Sequence, residues 1–137
     1  MLSPREIVED RMLAKDAFSN WLGIKLLDVR LGYSKIEMKI REEMLNGFSI
    51  SHGGISFSFA DSAFAFASNS HGKLAYSIET SINHLEKVNV GDQLVAEAEE
   101  EFYNGKLGKY RIIVSNQDKR IVAIFNGMVY VTKKDWI

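Results

Sequence analysis

The sequence predicts an α+β domain in which a curved antiparallel sheet wraps around one long buried helix. Three observations carry that reading. Residues 53–69, GGISFSFADSAFAFASN, place Phe57, Phe59, Phe64 and Phe66 among small residues, so the helix they form is apolar on nearly every side and needs cover all round. Four β-rich or alternating segments follow it, Leu74–Leu85, Gln93–Tyr103, Lys109–Ser115 and Ile121–Thr132, and they supply that cover. The whole chain is 137 residues with one Pro and no repeat or linker, the size of a single domain spanning 1–137.

The elements can be justified in order. Ser3-Pro4-Arg5-Glu6 joins a capping hydroxyl, a proline at the first helical position and a glutamate three residues after the cap, which announces an N-terminal helix over about residues 1–20. From Ile24 to Arg41 the period changes, with Ile36, Met38 and Ile40 alternating with charged residues and Gly32 marking a turn or bulge. This is the pattern of a half-buried strand. Asn46-Gly47 closes the region before the central helix at 53–69. Asn89-Val90-Gly91-Asp92 and Asn104-Gly105 separate the later segments, the last three of which read as a meander. A first strand, a buried helix and four further antiparallel strands make the architecture called the hotdog fold.

Composition narrows the function. With no cysteine, disulfide frameworks, thiolate nucleophiles and Cys-ligated metals are excluded. Seventeen Lys and Arg against eighteen Asp and Glu give a net charge of -1, which offers no footprint for nucleic acid or an anionic membrane. The N-terminus lacks an apolar signal core, and residues 55–67 are too short and too often interrupted by Ser and Asp to span a bilayer. A cytoplasmic protein whose partner is a small molecule or another protein is the expectation. Only His52, His71 and His84 are present, without ligand spacing, so no metal or other cofactor is expected.

Asp61 carries the chemistry. It lies in mid-helix with Phe57 at i−4 and Phe64 at i+3, surroundings in which a carboxylate is costly unless it is paired, hydrogen-bonded or functional. It is the first candidate for a catalytic base or nucleophile. His52-Gly53-Gly54 precedes the helix, where unpaired amides and the positive end of the dipole can hold an oxyanion. Paired glycines are also ordinary turn chemistry, and His52 reads as a helix-capping or structural histidine ahead of a proton-transfer group, since Asp61 already fits that role.

The stretch from Met44 to Gly72, MLNGFSISHGGISFSFADSAFAFASNSHG, resembles the signature of the PaaI-like (phenylacetic-acid-degradation type) hotdog acyl-CoA thioesterases, MLNGH-x-x-x-HGG followed after seven residues by Asp. The similarity extends through WLGIKLLDVRLGYSKIEMKI, VNVGDQLVAEAE and GKLGKYRIIVSNQDKRIVAIFNGMVYV. It implies that Asp61 is the catalytic carboxylate, that the Gly53 N–H polarises the thioester carbonyl, and that Asn46 helps to hold the carbonyl or the attacking water. It implies that His52 orients the loop and that Ser77 assists in positioning water. Where that family commonly has an aromatic-Leu-Arg-Pro sequence, this chain reads His84-Leu85-Glu86-Lys87, leaving Lys87 as the cation for the coenzyme A phosphates. Phe48-Ser49-Ile50-Ser51 also departs from the family pattern after Asn-Gly, so the acyl pocket is expected to differ in shape.

The resulting expectation is an acyl-CoA thioester hydrolase for a small aryl, arylacetyl or medium-chain acyl group. Two other classes share the fold: an enoyl-CoA hydratase or dehydratase using His52 with Asp61, and a non-catalytic acyl-CoA-binding module. Gly53 and Asp61 are eight residues apart, roughly 12 Å along one helix, so one chain cannot set both on one carbonyl. A homodimer with shared sites, assembled into a homotetramer, is expected, with Asn46 and Gly53 from one subunit and Asp61 and Ser77 from its mate.

Overall fold

A computed structural model describes residues 1–137. Six strands form one antiparallel sheet: β1 (Lys25–Arg30), β2 (Tyr33–Lys39), β3 (Lys73–His84), β4 (Gln93–Tyr103), β5 (Leu107–Ser115) and β6 (Ile121–Asp135), in the order β1-β2-β4-β5-β6-β3. The meander of the last three strands is as expected. Before the helix there are two strands rather than one, because Leu31-Gly32 turns the alternating segment back on itself, with Gly32 at φ 72°, a conformation open to glycine at no steric cost.

The strands carry a continuous row of side chains across the sheet. Across the strands, Ser34, Ala98, Ile112, Phe125 and Ile82 lie in register as one row. Helix α3 (Gly53–Asn69) lies on this face, with Phe59, Phe64 and Phe66 buried. Phe64 meets Tyr110 and Phe125 at ring centroids of 5.8 and 5.6 Å, and Phe57 meets Phe125 edge-on at 5.2 Å, the tilted geometries that aromatic quadrupoles favour. The Ser34 hydroxyl donates to the Ala63 carbonyl at 2.6 Å, so the one polar group in that row has a partner.

At the far end of α3 the Asn69 carboxamide ties three elements together. Its Nδ2 donates to the Ala65 and Ala75 carbonyls, while its Oδ1 accepts from the Ala75 amide and the Trp136 indole. This fixes β3 against the helix and thereby sets where Ser77 falls.

The N-terminal helical region begins at Pro4 with both hydrogen bonds of the capping box formed between Ser3 and Glu6. It is segmented rather than continuous to residue 20. Helix α1 (Pro4–Glu6) passes into π-helical turns (Ile7–Met12) and a 3-10 turn (Leu13–Lys15), and α2 (Ala17–Leu22) follows. The break falls at Asp16, which leaves helical backbone at φ -86°, ψ 91° so that its carboxylate can cap α2 by accepting from the Ser19 amide at 2.9 Å. No helix is long and apolar enough to cross a membrane.

Candidate active site

The loop before α3 is built to hold one side chain. Leu45 and Ser51 pair as a β-bridge, the Asn46 amide donates to the Ile50 carbonyl at 2.8 Å, and Ser49 adopts a left-handed φ of 62°. Within that turn the Asn46 Oδ1 accepts from the Phe48 and Ile50 amides at 2.9 and 3.4 Å. The Asn46 Nδ2 has no partner and remains available as a donor. His52 caps α3, its Nδ1 accepting from the Gly54 amide at 2.9 Å. That bond leaves Nδ1 unprotonated. The Gly53 amide, at the helix start, donates to no atom of the chain. It therefore combines an open N–H with the positive end of a 17-residue helix.

Both glycines face imidazoles. A Cβ on Gly54 would stand 3.1 Å from the His52 Nδ1, and one on Gly53 would stand 3.3 Å from the Nε2 of His84. A Cβ at either position would press its neighbouring ring back by a few tenths of an ångström.

The candidate residues fall into two separate cavities. Asn46 and Gly53 line one of about 170 Å³, together with Ser51, His84, Glu86 and Lys87. Asp61 and Ser77 line another of about 190 Å³, walled by Phe64, Ala65, Tyr76 and Val129. His52 borders neither cavity and is not brought to Asp61. Lys87 also borders a polar groove with Asn89, Asp92 and Arg120, and the Arg120 guanidinium stands 3.8 Å from the Glu86 carboxylate. The largest cavity, about 530 Å³ between the two chain termini, is lined by His71 but by none of the candidate catalytic or coenzyme-binding residues. Its walls are mostly terminal side chains, and size alone does not make it the chemical site. No group of three His, Asp or Glu side chains lies close enough together to hold a metal ion.

Asp61 is partly buried and takes part in no hydrogen bond or ion pair within the chain. Burial raises its carboxyl above the ordinary aspartate range, and the charge of Asp16 raises it further. Asp16 acts by its charge alone; the two helices that carry the pair are joined nearby, where the Ser19 hydroxyl donates to the Asp16 carboxylate at 2.6 Å and lies 2.8 Å from the Ser62 hydroxyl. Asp16, Ser51, His84 and Arg120 were not singled out as site residues from sequence. For Asp16 the capping pattern Asp-x-x-Ser was visible; for His84 the signal was its replacement of an aromatic residue.

Residues 48–123 match the family model described as the thioesterase superfamily. The Escherichia coli acyl-coenzyme A thioesterase PaaI is 37% identical over 116 residues, 85% of this chain and 83% of that protein. The solved structure of the E. coli PaaI protein superposes with a TM-score of 0.90 at 34% identity, covering 92% of this chain and 91% of that one. A Streptococcus mutans protein solved with acetyl CoA bound gives a TM-score of 0.80 at 25% identity, covering 82% and 91% of the two chains.

Proposed function

Since the chain belongs to the thioesterase superfamily, we propose that it hydrolyses acyl-CoA thioesters in an active site shared between two copies. The observation that carries the proposal is the division of the site residues: Asn46 and Gly53 in one cavity, Asp61 and Ser77 in another. Each cavity alone is smaller than the ~300 Å³ at which ligand pockets usually begin, as two half-sites would be.

The surface between them supports a second copy as the occupant. β3 is a twelve-residue strand at the edge of the sheet, with Tyr76 and Ile78 each 57% exposed, and an uncovered apolar edge is a template for strand pairing. Pairing β3 with its own mate is self-complementary and creates two equivalent sites.

In such a site the thioester oxygen accepts hydrogen bonds from the Gly53 N–H and the Asn46 Nδ2, groups already fixed where negative charge develops. Asp61 of the second copy takes a proton from water as the water attacks the carbonyl carbon, and Ser77 beside it orients that water. Lys87, with Arg120 nearby, faces the coenzyme A phosphates. The small apolar cavity at Asp61, with Phe64 and Val129 in its walls, suits a compact aryl or arylacetyl group or a medium-length acyl chain.

A thiol-release assay across a panel of acyl-CoA esters tests the reaction, and failure to release thiol from any of them refutes it. Mixing Asn46→Ala with Asp61→Ala under subunit exchange tests the sharing. A mixed dimer keeps one complete site, so activity should partly return. Mixed dimers as inactive as their parents would refute the shared arrangement.

A further inference from the structure

We propose that His84 is a catalytic acid of this site, giving its proton to the thiol sulfur as the carbon–sulfur bond breaks. The inference rests on the functional reading above and assigns a residue that reading does not use.

Position is the first argument. His84 ends β3, and its imidazole lies edge-on against Gly53, with Nε2 and Cε1 3.3 and 3.5 Å from where a Cβ would stand. The ring thus stands beside the residue whose open amide is proposed to hold the thioester oxygen. It is exposed, is engaged in no hydrogen bond or ion pair, and lines the same cavity as Asn46 and Gly53.

The cavity is built for a polar guest. Ser51, 8% exposed, borders it with the only buried side-chain polar atom in the chain that lacks a partner, and such a hydroxyl is costly unless something satisfies it.

Direction is the third argument. His84, Glu86 and Lys87 line the same cavity as Asn46 and Gly53, and Glu86 and Lys87 also border the polar groove that holds Arg120. A coenzyme A ester with its carbonyl at Gly53 and its phosphates at Lys87 carries its sulfur past His84. The water and Asp61 approach from the other copy.

The step balances. Water's oxygen bonds to the carbonyl carbon and one of its protons goes to Asp61. The oxyanion held at Gly53 then collapses, the carbon–sulfur bond breaks with its electron pair on sulfur, and the imidazolium N–H proton moves to that sulfur. Asp61 releases its proton to solvent and His84 regains one from solvent, leaving acid and thiol. Histidine is the side chain suited to such exchange near neutral pH.

The test compares His84→Phe and His84→Gln with the unaltered protein on two thioesters of one acyl group, the coenzyme A ester and an aryl-thiol ester. An alkyl thiol resembles a cysteine thiol, with pKa about 8.5, and benefits from a proton as it leaves; an arylthiolate is a far better leaving group. Both variants should lose about 100-fold in kcat on the coenzyme A ester, with little change in KM, and lose far less on the aryl ester. Equal losses on both esters would make His84 structural, and a change confined to KM would make it a binding wall. Full activity would give it no part. Each of these overturns the inference while leaving the thioesterase reading intact. An unaltered protein that cleaves neither ester overturns that reading instead.

Discussion

The two ends of the proposed shared site are made in opposite ways. At the start of α3 the groups proposed to hold the thioester oxygen are uncharged donors, the Gly53 amide and the Asn46 carboxamide, held by a cap, a β-bridge and a tight turn. Half-way along the helix the working group is an ionisable carboxylate with no hydrogen bond or ion pair in the chain, walled by Phe64, Ala65 and Val129. The first end is ready because its geometry is satisfied. The second is reactive because its charge is not. A backbone amide cannot be tuned by its surroundings as a carboxyl can, so the fold supplies order at one end and desolvation at the other.

Removing the carboxylate should have the largest effect. Asp61→Asn should cut kcat by about 10²- to 10⁴-fold, measured by thiol release, and near-normal turnover in a folded variant would break the contrast. The same change should stabilise the fold at neutral pH. Because burial raises the Asp61 carboxyl above its unfolded value, the native state holds that proton more tightly. This favourable contribution is complete below about pH 3.9 and is lost as pH rises through the raised value. Thermal unfolding should therefore show a higher Tm for Asp61→Asn at pH 7, with the gain vanishing below about pH 4. A lower Tm at pH 7 would mean the ionised carboxylate is stabilised by the fold.

Asn46→Ala removes one of two oxyanion donors and should cost about 10²-fold in kcat, with no comparable gain in stability, since its carboxamide oxygen serves the loop. A smaller change is expected in the pH profile. The acidic limb of kcat/KM should lie above that of a free aspartate, about 3.9, and Asp16→Asn should move it down by removing a nearby negative charge. An unmoved limb would place Asp16 outside the reach of Asp61. The smallest effect should come from Glu86→Arg, which frees Arg120 of its acidic neighbour and adds a cation. KM for coenzyme A esters should fall at low ionic strength and return toward its original value as salt screens the site. Titrating salt against KM reads this directly.

Much of this contrast was legible in the sequence, and what was not has a physical reason. The bounds of α3 and of β4 followed from local periodicity and flanking turns, and the apolar neighbours of Asp61 at i−4 and i+3 were visible without a fold. His84 and Gly53 are 31 positions apart, and only the packing of the β3 end on the helix N-terminus joins them. Asp16 acts on Asp61 through space as a like charge brought near by the packing of two helices, which no spacing rule encodes. The segmented N-terminus depended on Asp16 capping the following helix instead of continuing the preceding one, a choice that nearest-neighbour propensity leaves even. The alternation from Ile24 to Arg41 is the same for one strand as for two, and only the left-handed Gly32 decides between them.

Under the proposed pairing, the open edge of β3 makes the protein its own activator. If each site needs a second copy laid along Tyr76 and Ile78, catalytic capacity follows mass action: well below the dissociation constant, the population of complete sites grows as the square of the chain concentration. Dilution then silences the enzyme without unfolding it. A substrate that bridges the two half-sites binds only the paired form, so its arrival draws copies together and raises the number of working sites.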